Sequence, residues 1–192
     1  IEGITPSKYC IEYGKELNKE ISLTDYLVWG GFPKRIEFNS LEAQKRYLND
    51  LDETIVSNDI INRYKIRKSE NFKKVVNFIL ISNTRNYSVK SICDYMNTHG
   101  TKCSINTVKK WIGYLEEAYI IEPIKQYSSR TKTELEYPTK IYNCDVSLNS
   151  IRKLNNRYDL THNLENIIYN ANQQPSLSKC IKVGRKAQGL GE

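Results

Sequence analysis

The 192-residue chain has no apolar run near the ~18–20 residues that a membrane span requires. Its first residues, with Glu2, Gly3 and Pro6 among them, hold no apolar stretch of the kind a secretory signal needs. Membrane insertion and secretion are therefore not expected, and the expected compartment is the cytoplasm. The five cysteines (Cys10, Cys93, Cys103, Cys144 and Cys180) are scattered without a C-x-x-C pair, the usage of reduced thiols that pack as small apolar groups. His99 and His162 are the only histidines, and neither stands at ligand spacing from a cysteine, which argues against a structural metal. Also missing is the G-x-x-x-x-G-K-[ST] phosphate cradle. Gly184 and Gly189 have the glycine spacing, but Leu190 and Gly191 occupy the places of the lysine and the hydroxyl residue. No nucleotide is expected to bind here through such a loop. Internal repeats and low-complexity tracts are absent too, and no nucleophile stands beside a recognisable base, so no catalytic residues are assigned.

What is present is ordinary in amount and uneven in place. Hydrophobic residues make up 39% and charged residues 27%, as in soluble globular domains, and the length fits one or two of them. The net charge is +7, but residues 1–61 hold seven Lys/Arg against eleven Asp/Glu, whereas residues 62–192 hold twenty-two against eleven. An acidic first third followed by a basic remainder points to two functional parts, the second suited to a polyanion.

Spacing and punctuation predict the elements. Thr5-Pro6 opens a short helix near Ser7–Leu17, and a second, Leu23–Trp29, is stopped by Gly30-Gly31-Phe32-Pro33. Ser40 is the expected N-cap of a long helix to about Arg63, with Leu41, Leu48, Leu51, Ile55 and Ile60 inward. After a basic linker, Tyr64–Ser69, the stripe Phe72, Val75, Val76, Ile79 and Leu80 predicts an amphipathic helix. Ser88 opens another, with Val89, Ile92, Cys93 and Met96 inward and His99-Gly100 at its close, and Ser104 caps a third, Ile105–Tyr119. Two strand-like runs, Ile120–Tyr127 and Pro138–Cys144, flank a polar tip at residues 128–134. Helix, helix, helix, hairpin over roughly Asn71–Asp145 is the order of a winged helix-turn-helix, whose second helix of the motif enters the major groove.

Steps of 100° divide that helix into two sides. Ile105, Val108, Ile112, Leu115 and Tyr119 fall within about 80° of arc, with Trp111 on the flank, and are expected in the core. The opposite side carries Asn106, Lys110, Gly113 and Glu117, flanked by Thr107, Lys109 and Tyr114, so the first two turns present Asn106, Thr107, Lys109 and Lys110. The acidic pair Glu116-Glu117 lies in the later turns, where it is expected to point away from a duplex. Arg130 and Lys132 sit at the hairpin tip. These six polar and cationic residues are the expected contacts to duplex DNA.

Taken together the motifs resemble a family of prokaryotic AAA-type ATPases that carry a C-terminal domain of unknown function. The resemblance is carried by Pro6-Ser7-Lys8-Tyr9 with Glu12-Tyr13, by Asp25-Tyr26-Leu27 with Gly30-Gly31-Phe32-Pro33, and by Tyr47-Leu48, Thr54-Ile55, Asp59-Ile60 and Arg63. It continues through Ser104, Thr107-Val108, Trp111 and Leu115-Glu116, then Lys140-Ile141-Tyr142 with Asp145, and Glu165-Asn166 with Tyr169. It implies an excised piece of a longer protein, since the chain starts at Ile1, with a nucleotide-binding core ahead of it that uses ATP and magnesium. It further implies a helical lid at residues 1–64, in which Arg63 could sense phosphate; the preferred expectation for Arg63 is a helix-surface pair with Asp59, four residues before it. A winged helix-turn-helix at 70–148 follows, and then an incomplete restriction-endonuclease-like region at 158–192. In the last, Glu165 would join later carboxylates, which lie beyond Glu192, around a divalent metal. As it stands, Glu165 is expected in the first turn of a helix capped by Thr161 or Asn163.

This sequence departs from the family pattern at Ser147, where Gly is favoured, and at Pro175, which cuts the Glu165 helix short. The expected fold class is mainly α (α+β). Three functions follow as expectations: a non-catalytic DNA-binding module, a protein-interaction or oligomerisation module coupling the ATPase to a partner, and part of a nuclease-like domain without its catalytic strand. No cofactor and no membrane contact are expected for this stretch itself.

Overall fold

The computed structural model describes residues 21–125, 139–153 and 157–173. The expected helix at residues 7–17, the hairpin tip with Arg130 and Lys132, and the glycines Gly184 and Gly189 lie outside them. The described chain is mainly helical with one small three-stranded antiparallel sheet, an α+β fold. No described helix is long and apolar enough to cross a membrane.

Helix α1 (Leu23–Trp29) begins at Ser22, whose hydroxyl accepts from the Asp25 N–H. It ends where expected, at Gly30, which takes φ +73 and returns its N–H to the Tyr26 carbonyl. A short 3-10 turn, Pro33–Glu37, leads to α2 (Leu41–Thr54), capped by Ser40 and continued as a π-helical stretch over Ile55–Asn62. Leu48 and Ile60 are buried as expected, but Leu41 is 47% exposed, because it is the first residue after the cap and lies outside the packed turns. The segment after Arg63 is a tight turn rather than a loose linker. Lys65 adopts φ 50 while the Ile66 N–H reaches back to the Ile61 carbonyl, and the Tyr64 ring stacks on Tyr114 at 3.7 Å.

Helix α3 (Ser69–Ile81) buries Phe72, Val75, Val76, Ile79 and Leu80, the whole expected stripe. A two-residue strand, β1 (Asn86–Tyr87), precedes α4 (Val89–Thr98), which starts in a reciprocal cap between Ser88 and Ser91. Helix α5 (Ile105–Glu117) is capped by Ser104 through the Thr107 N–H. Strands β2 (Ile121–Lys125) and β3 (Thr139–Asn143) pair antiparallel with Ile121 opposite Asn143, and β1 adds to the far side of β3, giving the order β1-β3-β2. Pro123 is tolerated because β2 is an edge strand.

The main core joins Val56 and Ile60 to α3, α4, α5, the sheet and Leu148 on the short helix α6 (Ser147–Ser150). Phe72 meets Trp111 edge-on at 5.6 Å within it. Truncating a side chain such as Leu80 or Leu115, both 0% exposed, removes about 2–5 kcal/mol of stability.

Helix α7 (Leu160–Asn172) is capped by Asp159 rather than by Thr161 or Asn163, so Glu165 falls in its second turn and not its first. Asparagines dock it on the rest of the fold. The Asn166 side chain accepts from the Asn143 N–H at 2.7 Å and donates to the Asn143 carbonyl at 2.9 Å, the pairing a further strand would make. Asn163 donates to the Leu27 carbonyl on α1 and accepts from Asn149 on α6.

Candidate nucleic-acid interface

Helix α5 separates its two sides by burial much as its periodicity requires. Val108, Trp111, Ile112 and Leu115 are buried; Asn106, Lys109 and Lys110 are exposed on the other side. Trp111, expected only on the flank, is a core residue. Two expected core residues are not: Ile105 is 47% exposed and Tyr119 85% exposed. Ile105 is the first residue after the cap, and the helix stops at Glu117, two residues short of Tyr119. Tyr119 takes φ 57, with its N–H on the Glu116 carbonyl and the Ile120 N–H on the Leu115 carbonyl. That closure reverses the chain, so 100° steps no longer describe where Tyr119 points.

Among the described residues neither Lys109 nor Lys110 has a carboxylate partner, and the Lys110 ammonium stands 5.8 Å from the centre of the Tyr114 ring. Tyr114 is itself stacked on Tyr64, whose hydroxyl donates to Glu117. This aromatic brace sets one flank of α5 and occupies one of the two late acidic residues. Thr107, expected on the flank, is half-buried there, its hydroxyl sharing a 2.9 Å hydrogen bond with Ser104. Asn106, Lys109 and Lys110 thus form the exposed front, with Thr107 at its edge.

Two further cations belong to this end of the helix and were not singled out from the sequence. Lys68 and Lys102, with Asn97, Cys103, Ser104, Thr107 and Trp111, line a recess of about 520 Å³ at the start of α5 that contains no acidic side chain. Lys68 belongs to the basic linker Tyr64–Ser69 that the sequence already marked. Lys102 stands only three residues ahead of α5 in the sequence, but it lies before the Ser104 cap, where helical phase assigns no face.

The other site expectations fare differently. Arg63 is exposed, with its guanidinium 5.4 Å from the centre of the Tyr64 ring, and makes no ion pair with Asp59. The backbone there is π-helical, so residues four apart do not stack as they do in an α-helix. Glu165 accepts from Lys140 Nζ at 2.5 Å and from the Tyr142 hydroxyl at 3.0 Å. Partial burial pushes its carboxyl upward, but these two bonds outweigh it and hold the group below the usual carboxylate range. A carboxylate engaged in this way fits an ion pair fastening α7 to β3 better than it fits a metal ligand, and no metal-holding cluster occurs among the described residues.

The motif residues Gly30, Gly31 and Asp145 meet in space. Asp145 accepts from the Gly31 N–H at 2.7 Å and from the Ser147 N–H at 2.8 Å. A Cβ on Gly30 would come within 1.8 Å of the Asp145 carboxylate. Beneath them Arg35, 1% exposed, binds Asp25 at 2.7 Å, Gln44 at 2.9 Å and the Gly30 carbonyl at 3.2 Å. The Gly-Gly signature is thus a junction that clasps α1 to the segment after β3.

Residues 20–157, more than half of the chain, match the profile of a family described as Domain of unknown function (DUF8612). The chain belongs to the DUF8612 family. It is 26% identical over 123 residues to "Uncharacterized protein MJ1544" of Methanocaldococcus jannaschii, covering 64% of this chain and 27% of that protein. An "Uncharacterized protein" of Haemophilus influenzae is 26% identical over 148 residues, covering 76% of this chain and 36% of that protein. The chain therefore spans only a quarter to two fifths of the length of these relatives. No solved structure matches it significantly. The matched DUF8612 region contains the Gly30–Asp145 junction, α5 and the whole sheet, so the candidate interface lies inside it.

Proposed function

We propose that this DUF8612 chain is a non-catalytic, DNA-binding part of a longer ATPase-type protein, and that the elements from α3 to β3 act as a winged helix-turn-helix. The observation that carries the proposal is the front of α5, where Asn106, Lys109 and Lys110 are exposed and the two lysines have no carboxylate partner among the described residues, beside a three-stranded antiparallel sheet. A helix in this position docks by its first turns, where amide and ammonium groups meet base edges and phosphates. Lys68 and Lys102 extend the cationic surface toward the helix start. Arg130 and Lys132 would extend it along the hairpin tip. In the longer protein, a nucleotide-binding core elsewhere would supply the ATP and magnesium chemistry, and the Gly30–Asp145 junction would link residues 21–64 rigidly to the DNA-binding part.

A second function, as an interaction module for a partner protein or a second copy, is favoured by a different observation. Leu160, Leu164 and Ile168 recur every four residues along α7 and are 43%, 44% and 52% exposed, a stripe of the sort that partner surfaces cover. Titration of a fluorescently labelled duplex at two salt concentrations, paired with sedimentation velocity on the protein alone, separates the two. DNA binding that weakens steeply with salt supports the first. Absent or salt-insensitive DNA binding with concentration-dependent self-association would replace it with the second.

A further inference from the structure

Cys93 and Cys103 are ten residues apart in sequence, yet their sulfurs lie 4.0 Å apart as free thiols, Cys103 Sγ donating to Cys93 Sγ. Cys93 sits on α4 at 4% exposure; Cys103 is half-buried, two residues before α5, and lines the recess with Lys68 and Lys102. The approach is built rather than accidental. The Asn97 side chain clamps the Cys103 backbone, accepting from its N–H at 3.0 Å and donating to its carbonyl at 3.0 Å. Cys93 Sγ also donates to that carbonyl at 3.3 Å. Closing the gap to the ~2.05 Å of a disulfide needs about 2 Å of sulfur movement, within reach of a change in side-chain torsion.

We propose that Cys93 and Cys103 form a reversible intramolecular disulfide, with a hydroperoxide as oxidant, that staples the α4–α5 turn directly ahead of the Ser104 cap. Cys103, reachable through the recess, attacks the peroxide first. Its sulfur takes the terminal oxygen, the O–O bond breaks, and the alkoxide leaves and is protonated to an alcohol. The buried Cys93 thiolate then attacks the Cys103 sulfur, the S–S bond forms, and hydroxide leaves as water. In sum two thiols and one hydroperoxide give one disulfide, one alcohol and one water. Burial, and next the neighbouring Cys93, hold the Cys103 thiol well above its ordinary range, so the thiolate is scarce at neutral pH and the staple forms slowly there. The chemistry stands whether or not α5 meets DNA.

The test is to treat the intact chain with cumene hydroperoxide at pH 7, 8 and 9, alkylate the free thiols, digest it and map the peptides by mass spectrometry. The expected product is a Cys93–Cys103 cross-link lighter by two hydrogens, undone by dithiothreitol, whose rate of formation climbs roughly tenfold per pH unit. In Cys93→Ser the reaction is expected to stop at a Cys103 sulfenic acid trapped by dimedone, and in Cys103→Ser position 93 is expected to stay a free thiol. Unmodified wild-type thiols, cross-links confined to other cysteines, or a dimedone-trapped Cys103 that accumulates equally with and without Cys93 would overturn the proposal.

Discussion

At the scale of single residues, the exposed side of α5 contains one position whose identity costs helix stability. Gly113 lies inside the helix, and a Cβ added there would meet nothing within 4 Å. Gly113→Ala is expected to raise stability by about 0.5–1 kcal/mol, read as a melting temperature roughly 1–4 °C higher. If α5 lies against a duplex the same methyl should weaken DNA binding, so opposite signs in melting and binding would identify Gly113 as a place of close backbone approach. Glu165 gives a second test, through pH. Its folded value is lowered, so the stability it contributes is present above the ordinary carboxylate value of ~4.3 and is lost as pH falls through the lowered one. Glu165→Gln should therefore flatten the acid limb of the stability profile below about pH 4.3 while leaving the profile above pH 6 parallel to wild type. An unchanged acid limb in a urea titration series would mean that the Lys140 pair contributes nothing.

At the scale of elements, α7 is held by amides more than by apolar contact, and this docking can be measured. Asn166→Ala removes one partner from the Asn143 N–H and one from its carbonyl, which leaves Asn83 on the first and Asn170 on the second. The expected loss is about 1–3 kcal/mol, visible as earlier urea unfolding with early loss of protection at the β3 amides. Most elements could be read from the sequence because their signals are local. Ser40, Ser88 and Ser104 are hydroxyl caps, the α3 stripe is strictly periodic, and Gly30 stops α1 where its neighbours in sequence required. Misplacements cluster at helix ends, where periodicity has no authority: Leu41 and Ile105 beside caps, and Tyr119 past a left-handed closure. The cap of α7 was missed because Asp159, Thr161 and Asn163 are all competent, and only the chain path into the helix chooses among them.

At the scale of the whole molecule, residues from Val56 to Leu148 share one core, and the Asn and Gly-Asp junctions bind α1 and α7 onto it. These long-range contacts were invisible in the sequence. The resemblance to ATPase-associated motifs flagged Gly30-Gly31 and Asp145 as separate words, and only the fold shows them to be one contact across 114 positions. The cationic front was legible in part. Asn106, Lys109 and Lys110 followed from helical phase alone, whereas Lys102 depended on a turn that no periodicity describes. Whether that front meets phosphates decides what α5 does. The most direct measurement is the slope of log K against log salt for a duplex of about 20 base pairs, in wild type and in the Lys109→Ala/Lys110→Ala double variant. The expected wild-type slope is about −4 to −5, and the double variant should shift it by about 2 units toward zero at unchanged melting temperature. Equal slopes in a folded double variant would contradict the placement of α5 on DNA.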